Sequence, residues 1–106
     1  MRIEGQVIWI TGSARRVGRA IALGCAREGA DVVIHCRHSI EDARSAVAEV
    51  EALGRRVMLV QGDHGKPEDV RRMVGEIREG FGRLDSLVNS AAAFPSKSFE
   101  EIAEKD

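Results

Sequence analysis

Residues 7–18 read V-I-W-I-T-G-S-A-R-R-V-G, a short apolar run followed by a turn of small and basic residues. The run is typical of a strand buried on both faces of a sheet. Beyond it the apolar residues take helical spacing, and the face predicted to be buried contains Val17, Ala20, Ile21, Gly24 and Cys25. A turn that leads from a strand into a helix offers unpaired N–H groups and the positive end of a helix dipole. The stretch therefore predicts a phosphate-binding turn and, with it, a bound nucleotide.

Strands and helices alternate along the rest of the chain. The patterns predict strands at residues 6–11, 31–36, 57–61 and 84–89, and helices at 16–28, 40–53 and 67–81. The polar stretch 95–106 has the pattern of the start of another helix. Such alternation favours an α/β fold, a three-layer α/β/α Rossmann arrangement whose doubly wound parallel sheet has strand order 3-2-1-4. A ligand is then expected at the carboxyl ends of the first and fourth strands.

The composition is that of a globular chain. Its 106 residues are 43% hydrophobic and 31% charged, with a net charge of -1, which gives no support to a nucleic-acid partner. The apolar runs are far shorter than the roughly 20 residues of a membrane span, so no membrane partner is expected. We interpret Cys25 and Cys36 as reduced thiols of a cytoplasmic protein. Because a doubly wound sheet normally continues past its fourth strand, residues 1–106 are expected to be the N-terminal part of a single NAD(P)-binding domain, truncated after that strand.

Three motifs fall at the ends of predicted strands: T-G-S-A-R-R-V-G at 11–18, G-D-H at 62–64 and L-V-N-S-A-A at 87–92. With these motifs in this order, the chain resembles the short-chain dehydrogenase/reductase family along all 106 residues. The resemblance implies the cofactor-binding portion of an NADPH-dependent enzyme that reduces a carbonyl or a pterin-type C=N bond by hydride transfer. The residues that it implies for coenzyme binding are Gly12, Ser13, Arg15, Arg16, Val17, Gly18, Arg37, His38, Ser39, Asp63, His64, Asn89, Ser90 and Ala91.

Basic residues at the end of the second strand indicate which coenzyme is bound. An NAD site usually has a carboxylate there for the ribose 2′-OH, whereas residues 35–39 read H-C-R-H-S and contain no acid. The guanidinium of Arg37 suits a 2′-phosphate, and His38 and Ser39 could add hydrogen bonds to it. Arg15 matches the other basic position of NADP-preferring family members. We therefore expect NADP(H), with a plain surface charge as the alternative for Arg37.

The ends of the third and fourth strands also carry implied contacts. By resemblance, Asp63 accepts from the adenine amino group and the His64 backbone lies beside the ring. The alternative for Asp63 is a local cap of nearby N–H groups. Asn89 would join the fourth strand to its neighbours and contact the ribose region. Ser90 replaces the second asparagine of the family's N-N-A-G motif, and Ala92 replaces its glycine.

Two residues bear on the substrate. The family pattern T-G-x-x-x-G-x-G has a glycine where this chain has Arg16. That departure is similar to the pteridine reductase branch, in which an arginine faces the coenzyme phosphates and the substrate. Phe94 matches the phenylalanine that stacks on the pterin ring in that branch. The alternatives are a solvated helix start for Arg16, a hydrophobic plug for Phe94, and a 3-oxoacyl or sugar reductase for the whole protein.

The residues that perform the family's chemistry are absent from this stretch. Its acid is the tyrosine of a Y-x-x-x-K motif, and the chain contains no tyrosine, so we assign no catalytic residue within it. The three histidines have no metal-ligand spacing, and no metal is expected. The full-length protein is expected to act on a small molecule as a homotetramer or dimer. A naturally short, non-catalytic nucleotide-binding module is the alternative from another class; a methyltransferase is disfavoured because the second strand ends without an acid.

Overall fold

The elements of the fold alternate between strand and helix, as the sequence predicts. The computed structural model describes residues 2–90. Its elements are β1 (Val7–Thr11), α1 (Arg16–Arg27), β2 (Asp31–Cys36), α2 (Ile40–Ala52), β3 (Val57–Gln61), α3 (Pro67–Phe81) and β4 (Ser86–Asn89). The strands are all parallel, in the order β3-β2-β1-β4. This confirms the predicted fold class and strand order, although β1 and β4 begin later than predicted and α1 and α2 each end one residue earlier.

Helices cover both faces of the sheet and produce three layers. On one face the core joins strands β1 and β2 to α1 and α2 through Ile8, Ile10, Val32, Ile34, Ala22, Ala26, Ala43, Ala46 and Val50. On the other face α3 packs through Met73 and Ile77 against Val7, Trp9, Val33 and Val60. Every residue of β1 and β2 is buried, which confirms that the apolar run at the start of the chain is a strand covered on both sides.

The buried face of α1 differs from the predicted one. Val17 is 69% exposed, whereas the fully buried residues of the helix are Gly18, Ala22 and Ala26. The reason is close approach, because a Cβ at Gly18 would lie 2.2 Å from the carbonyl oxygen of Gly12. A prediction from hydrophobic periodicity assigns large apolar residues to the buried face. Because α1 crosses so near to the backbone of the turn after β1, only its smallest residues fit on the side that faces this turn. The face of α3 is as predicted, since Met73 and Ile77 are its buried residues.

Asp85 fixes the register of β4 against β1. Its carboxylate accepts the Val7 N–H at 2.7 Å, and its own N–H donates to the Val7 carbonyl at 2.9 Å. The Arg83 guanidinium donates to the same carboxylate at 2.7 Å, and these hydrogen bonds, with Arg83 first, hold the pKa of Asp85 below its usual value. The resulting register pairs Thr11 with Asn89. Both strands therefore end at the same edge of the sheet, where the crevice was predicted.

Residues 2–90 contain neither a membrane-spanning helix nor a cluster of metal-binding side chains. No helix within residues 2–90 has the length and apolar character needed to cross a bilayer. The same residues contain no group of three or more His, Cys, Asp or Glu side chains placed to hold a metal ion. Cys25 and Cys36 are free thiols, and burial raises the pKa of each.

Candidate functional site

A groove with a volume of ≈ 310 Å³ lies where β1 and β2 end. It is lined by Gly12, Ala14, Arg15, His35, Cys36, Arg37, His38 and Ser39. The fold therefore brings the turn after β1 together with the loop after β2, and five of the predicted coenzyme residues meet there: Gly12, Arg15, Arg37, His38 and Ser39. Two guanidinium groups beside a helix N-terminus make this groove suitable for an anion.

The N-terminus of α1 is open at this groove. Its N-cap residue, Arg15, makes no side-chain capping hydrogen bond, and the first turn contains no acidic residue. The first turns of α2 and α3, in contrast, each carry two acidic side chains. Because the first N–H groups of a helix have no intrahelical acceptor, those of α1 are available to a ligand such as a phosphate.

The two arginines of the groove are held only loosely by carboxylates. Arg15 lies 3.7 Å from Asp42, and Arg37 lies 3.2 Å from Asp63. The arginine side chains are 60% and 57% exposed, so each pair is a solvated surface ion pair that contributes about 0–1 kcal/mol. Such pairs exchange readily, and a guanidinium has enough donors to bind a phosphate while it keeps a carboxylate partner.

Arg16 adopts a left-handed backbone conformation at the start of α1. Its φ is +56°, the one positive value for a non-glycine residue among residues 2–90. This is the position where the family pattern has a glycine, a residue that adopts such a φ without steric cost. For other residues the conformation costs about 1–2 kcal/mol, so the turn stores local strain.

We expect Arg16→Gly to be more stable than Arg16→Ala by about 1 kcal/mol. Both variants remove the charge and the long side chain, and only alanine retains the clash of a Cβ in the left-handed region. In an ordinary helical position the order would be the reverse, because alanine is the better helix former. Urea unfolding of the two variants measures the difference, and a more stable alanine variant would contradict the conformation described here.

His35 supports the turn from inside the protein. Its Nδ1 accepts the Gly12 N–H at 2.8 Å, which makes Nε2 the protonated nitrogen that donates to the Gly62 carbonyl, also at 2.8 Å. Burial lowers the pKa of His35; His64 lowers it further, while the Gly62 hydrogen bond and Asp63 act to raise it. The Gly12 N–H, the expected phosphate donor, is thus used by the protein itself. Sequence reasoning missed this role, since a lone histidine within a strand carries no motif.

Ser13 also stabilises the turn after β1. It is completely buried, and its hydroxyl donates to the Ile10 carbonyl at 2.7 Å and accepts the His35 N–H at 2.9 Å. The Ser13 N–H in turn donates to the His35 carbonyl at 3.0 Å. Its polar atoms are therefore occupied within the protein, and the structure gives this predicted coenzyme residue a part in the shape of the turn.

The end of β4 is bonded to the turn after β1. Thr11 Oγ1 donates to Asn89 Oδ1 at 2.8 Å and accepts the Ser90 N–H at 3.0 Å. The Ser90 hydroxyl donates to the Thr11 carbonyl, and it would lie 2.6 Å from a Cβ on Gly18. Asn89, Ser90 and Gly18 are thus brought together, and the absence of a side chain at Gly18 allows that contact.

Asp63 and His64 lie on the loop after β3. One carboxylate oxygen of Asp63 accepts the Gly65 N–H at 2.8 Å, and this hydrogen bond, followed by the cation of Arg37, lowers the pKa of Asp63. Asp63 is therefore a local cap, the alternative weighed in the sequence, and also a partner of Arg37. The His64 ring meets the His35 ring edge-on with their centroids 5.7 Å apart.

Some predicted residues lie away from the groove or outside the described chain. Arg16 and Val17 are exposed at the start of α1 and are not among the residues that line the groove. Ala91 and Phe94 fall outside residues 2–90, as does the predicted helix start at 95–106.

Comparison with known proteins identifies the family. A 41% identical relative over 100 residues is the L-rhamnose 1-dehydrogenase (NAD(P)(+)) of a Sphingomonas species, with 94% of this chain and 39% of that protein aligned. A hydroxynaphthalene reductase of Aspergillus fumigatus is 34% identical over 104 residues, which is 98% of this chain and 38% of the reductase. A solved structure, a short chain dehydrogenase from Burkholderia cenocepacia in complex with NADP, superimposes with a TM-score of 0.83 at 42% identity, over 95% of this chain and 41% of the other.

This chain thus spans about two fifths of the length of those relatives. The profile of the family described as short chain dehydrogenase matches residues 6–106. Since that match covers nearly the whole chain and agrees with the sheet order and the turn geometry, this chain belongs to the short chain dehydrogenase family.

Proposed function

We propose that residues 1–106 form the N-terminal part of one NAD(P)-binding domain in an NADPH-dependent oxidoreductase. The observation that carries this proposal is the groove after β1 and β2, which is lined by Arg15 and Arg37 and, among the described residues, by no acidic side chain. Family membership supports hydride transfer as the reaction class, and the NADP bound to the similar Burkholderia protein supports the coenzyme.

The groove and the N-terminus of α1 would bind different phosphates of the coenzyme. The forked guanidinium of Arg37 suits the 2′-phosphate, with Arg15, His38 and Ser39 on the same groove. The unpaired N–H groups of the first turn of α1 suit the pyrophosphate. This donor set fits a dinucleotide with three phosphates, and a bound 2′-phosphate would share Arg37 with Asp63.

When bound, the dihydronicotinamide supplies a hydride to an electrophilic carbon, and a proton must reach the oxygen that becomes the alcohol. In the family that proton donor is a tyrosine, and this chain contains none, so we assign its residues no part in proton transfer. The role of the present residues is binding and orientation: Thr11, Asn89 and Ser90 fix the end of β4 beside the phosphate-binding turn.

For the substrate we favour a small molecule with a carbonyl group or its alcohol. Two relatives are named for dehydrogenation of a sugar and for reduction of a hydroxynaphthalene, and neither name mentions a pterin. The pterin-type C=N bond rests on Arg16 and Phe94 alone. Assays of the full-length protein with NADPH and a panel of sugars, aromatic ketones, 3-oxoacyl thioesters and pterins would decide the class, and turnover of pterins alone would reverse this preference.

We expect Arg37→Ala to weaken NADPH binding by about 10- to 100-fold while the affinity for NADH stays nearly unchanged. The variant removes a charge-assisted hydrogen bond that only a 2′-phosphate can accept, and such bonds contribute about 1.5–3 kcal/mol. Titration calorimetry of the full-length protein with each coenzyme measures the effect.

Arg71→Ala is the matched control, because Arg71 is an exposed arginine on α3 that is not part of the groove. Arg71→Ala removes the same positive charge as Arg37→Ala, but it should leave the affinities for NADPH and NADH within about twofold of the wild-type values. Equal losses of NADPH and NADH affinity in the Arg37 variant, or no loss of either, would refute the assignment of Arg37 to the 2′-phosphate.

A further inference from the structure

We propose that His35 is a positioning residue for the phosphate-binding turn, and that it holds the turn in its binding shape only while its imidazole ring is neutral. The inference rests on the proposed function, because its consequence is a loss of coenzyme affinity in acid. His35 is 1% exposed, forms part of the groove lining and need not touch the coenzyme to act in this way.

The two ring nitrogens of His35 have opposite hydrogen-bonding roles, one as an acceptor and the other as a donor. Nδ1 accepts from the Gly12 N–H, and Nε2–H donates to the Gly62 carbonyl, each at 2.8 Å. An imidazolium has an N–H at both positions. Protonation would therefore place a buried donor against the Gly12 N–H and remove the only acceptor that the described residues offer to that amide.

Movement of Gly12 would be transmitted to the site. Gly12 has a φ of +62°, and its carbonyl oxygen lies so close to Gly18 that no Cβ fits between them. Ser13, the next residue, is bonded to both the N–H and the carbonyl of His35. The first turn of α1 thus rests on a unit made of Gly12, Ser13 and His35, and a displaced Gly12 would shift the helix N–H groups.

The groups around His35 favour its neutral form. The Trp9 ring on β1 is steeply inclined to the His35 ring, and their centroids are 6.4 Å apart. The His64 ring, on the loop after β3, is perpendicular to the His35 ring with a centroid distance of 5.7 Å. Burial is the main cause that lowers the pKa of His35 and the charge of His64 adds to it, whereas the Gly62 carbonyl and Asp63 oppose them. A histidine whose pKa is lower in the folded protein than its ordinary value of 6.5 contributes its full stabilisation above pH 6.5. That stabilisation is lost as the pH falls through the lowered pKa.

The coenzyme itself titrates in mild acid, and its effect needs to be separated from that of His35. The 2′-phosphate of NADPH gains a proton near pH 6, which also weakens its binding to Arg37. NADH lacks the 2′-phosphate, so the acid dependence of NADH binding isolates the protein groups.

Two substitutions separate the two ring nitrogens. The amide oxygen of His35→Asn can occupy the place of Nδ1 as an acceptor that does not titrate, while His35→Gln can supply a donor at the place of Nε2 but no acceptor for Gly12. For the wild type in its full-length form, NADH affinity should fall only as the pH drops through the lowered pKa of His35, approaching a tenfold loss per pH unit below it. The Asn variant should lose that slope, and the Gln variant should bind more weakly than the Asn variant above pH 7.

Nitrogen chemical shifts of the histidine rings give a readout that needs neither variant. The wild type should show His35 as the Nε2–H tautomer near pH 8, with a pKa that coincides with the loss of NADH affinity. An Nδ1–H tautomer, or an Asn variant that keeps the wild-type acid slope, would overturn this inference while leaving the proposed function intact. Failure of NADPH and NADH to bind at any pH would overturn the proposed function and this inference with it.

Discussion

Gly18→Ala is expected to destabilise the folded protein by about 3 kcal/mol and to weaken coenzyme binding. The added Cβ would lie 2.2 Å from the Gly12 carbonyl oxygen and 2.6 Å from the Ser90 hydroxyl. The first of these atoms belongs to the backbone, so the overlap can be relieved only by moving α1 away from the turn. The free energy of unfolding from urea titration and the Kd for NADPH, both measured on the full-length protein, check the two parts of the expectation.

Gly24→Ala is the matched control on the same helix. Apart from the backbone of α1 itself, no atom of residues 2–90 lies within 4 Å of a Cβ built at Gly24, and its φ is not positive. Alanine is favoured over glycine in a helix by roughly 1 kcal/mol, so this variant should be slightly more stable than the wild type. If the two glycine variants have the same stability, the close crossing of α1 over Gly12 is wrong.

Ile10→Ala is expected to destabilise the protein by about 2–5 kcal/mol. Ile10 is completely buried in β1, where its neighbours across the sheet are Ile34 of β2 and Val88 of β4. Truncation removes apolar contact and leaves a cavity that a strand held on both sides cannot close. The midpoint of urea unfolding should fall with an unchanged slope, since the same surface is exposed on unfolding.

Val17→Ala distinguishes the observed core from the predicted one. The sequence pattern predicts a buried Val17, whereas the structure leaves 69% of it exposed. Its replacement should change the free energy of unfolding by no more than about 0.5 kcal/mol. A loss comparable with that of the Ile10 variant would mean that the rotation of α1 about its axis is incorrect.

The fold could be predicted because its signals are local and mutually consistent. Apolar runs alternate with helical periodicity, and Gly29, Gly54 and Gly82 follow the three helices with positive φ values. The rotation of α1 could not be predicted in this way. It depends on how near the helix comes to Gly12, a distance that periodicity does not contain.

The sequence predicted the charged residues of the candidate site better than it predicted the hydrogen bonds. Basic residues at the ends of β1 and β2 must meet in a parallel sheet, and Arg15 and Arg37 do line one groove. The sequence could not show that the Gly12 N–H is used by His35, because the partner is 23 residues away and reaches it only through the pairing of β1 with β2. Nor could it show that Arg16 adopts the conformation usual for the glycine it replaces.

The hydrogen bonds between Thr11 and Ser90 join residues 79 positions apart. During synthesis, the first strand and its turn leave the ribosome long before the residues that complete them. Until residue 90 has emerged, the nascent chain lacks the hydrogen bonds that join the end of β1 to the residue after β4. The end of β1 therefore gains its last hydrogen bonds only after nearly all of the sheet has been synthesised.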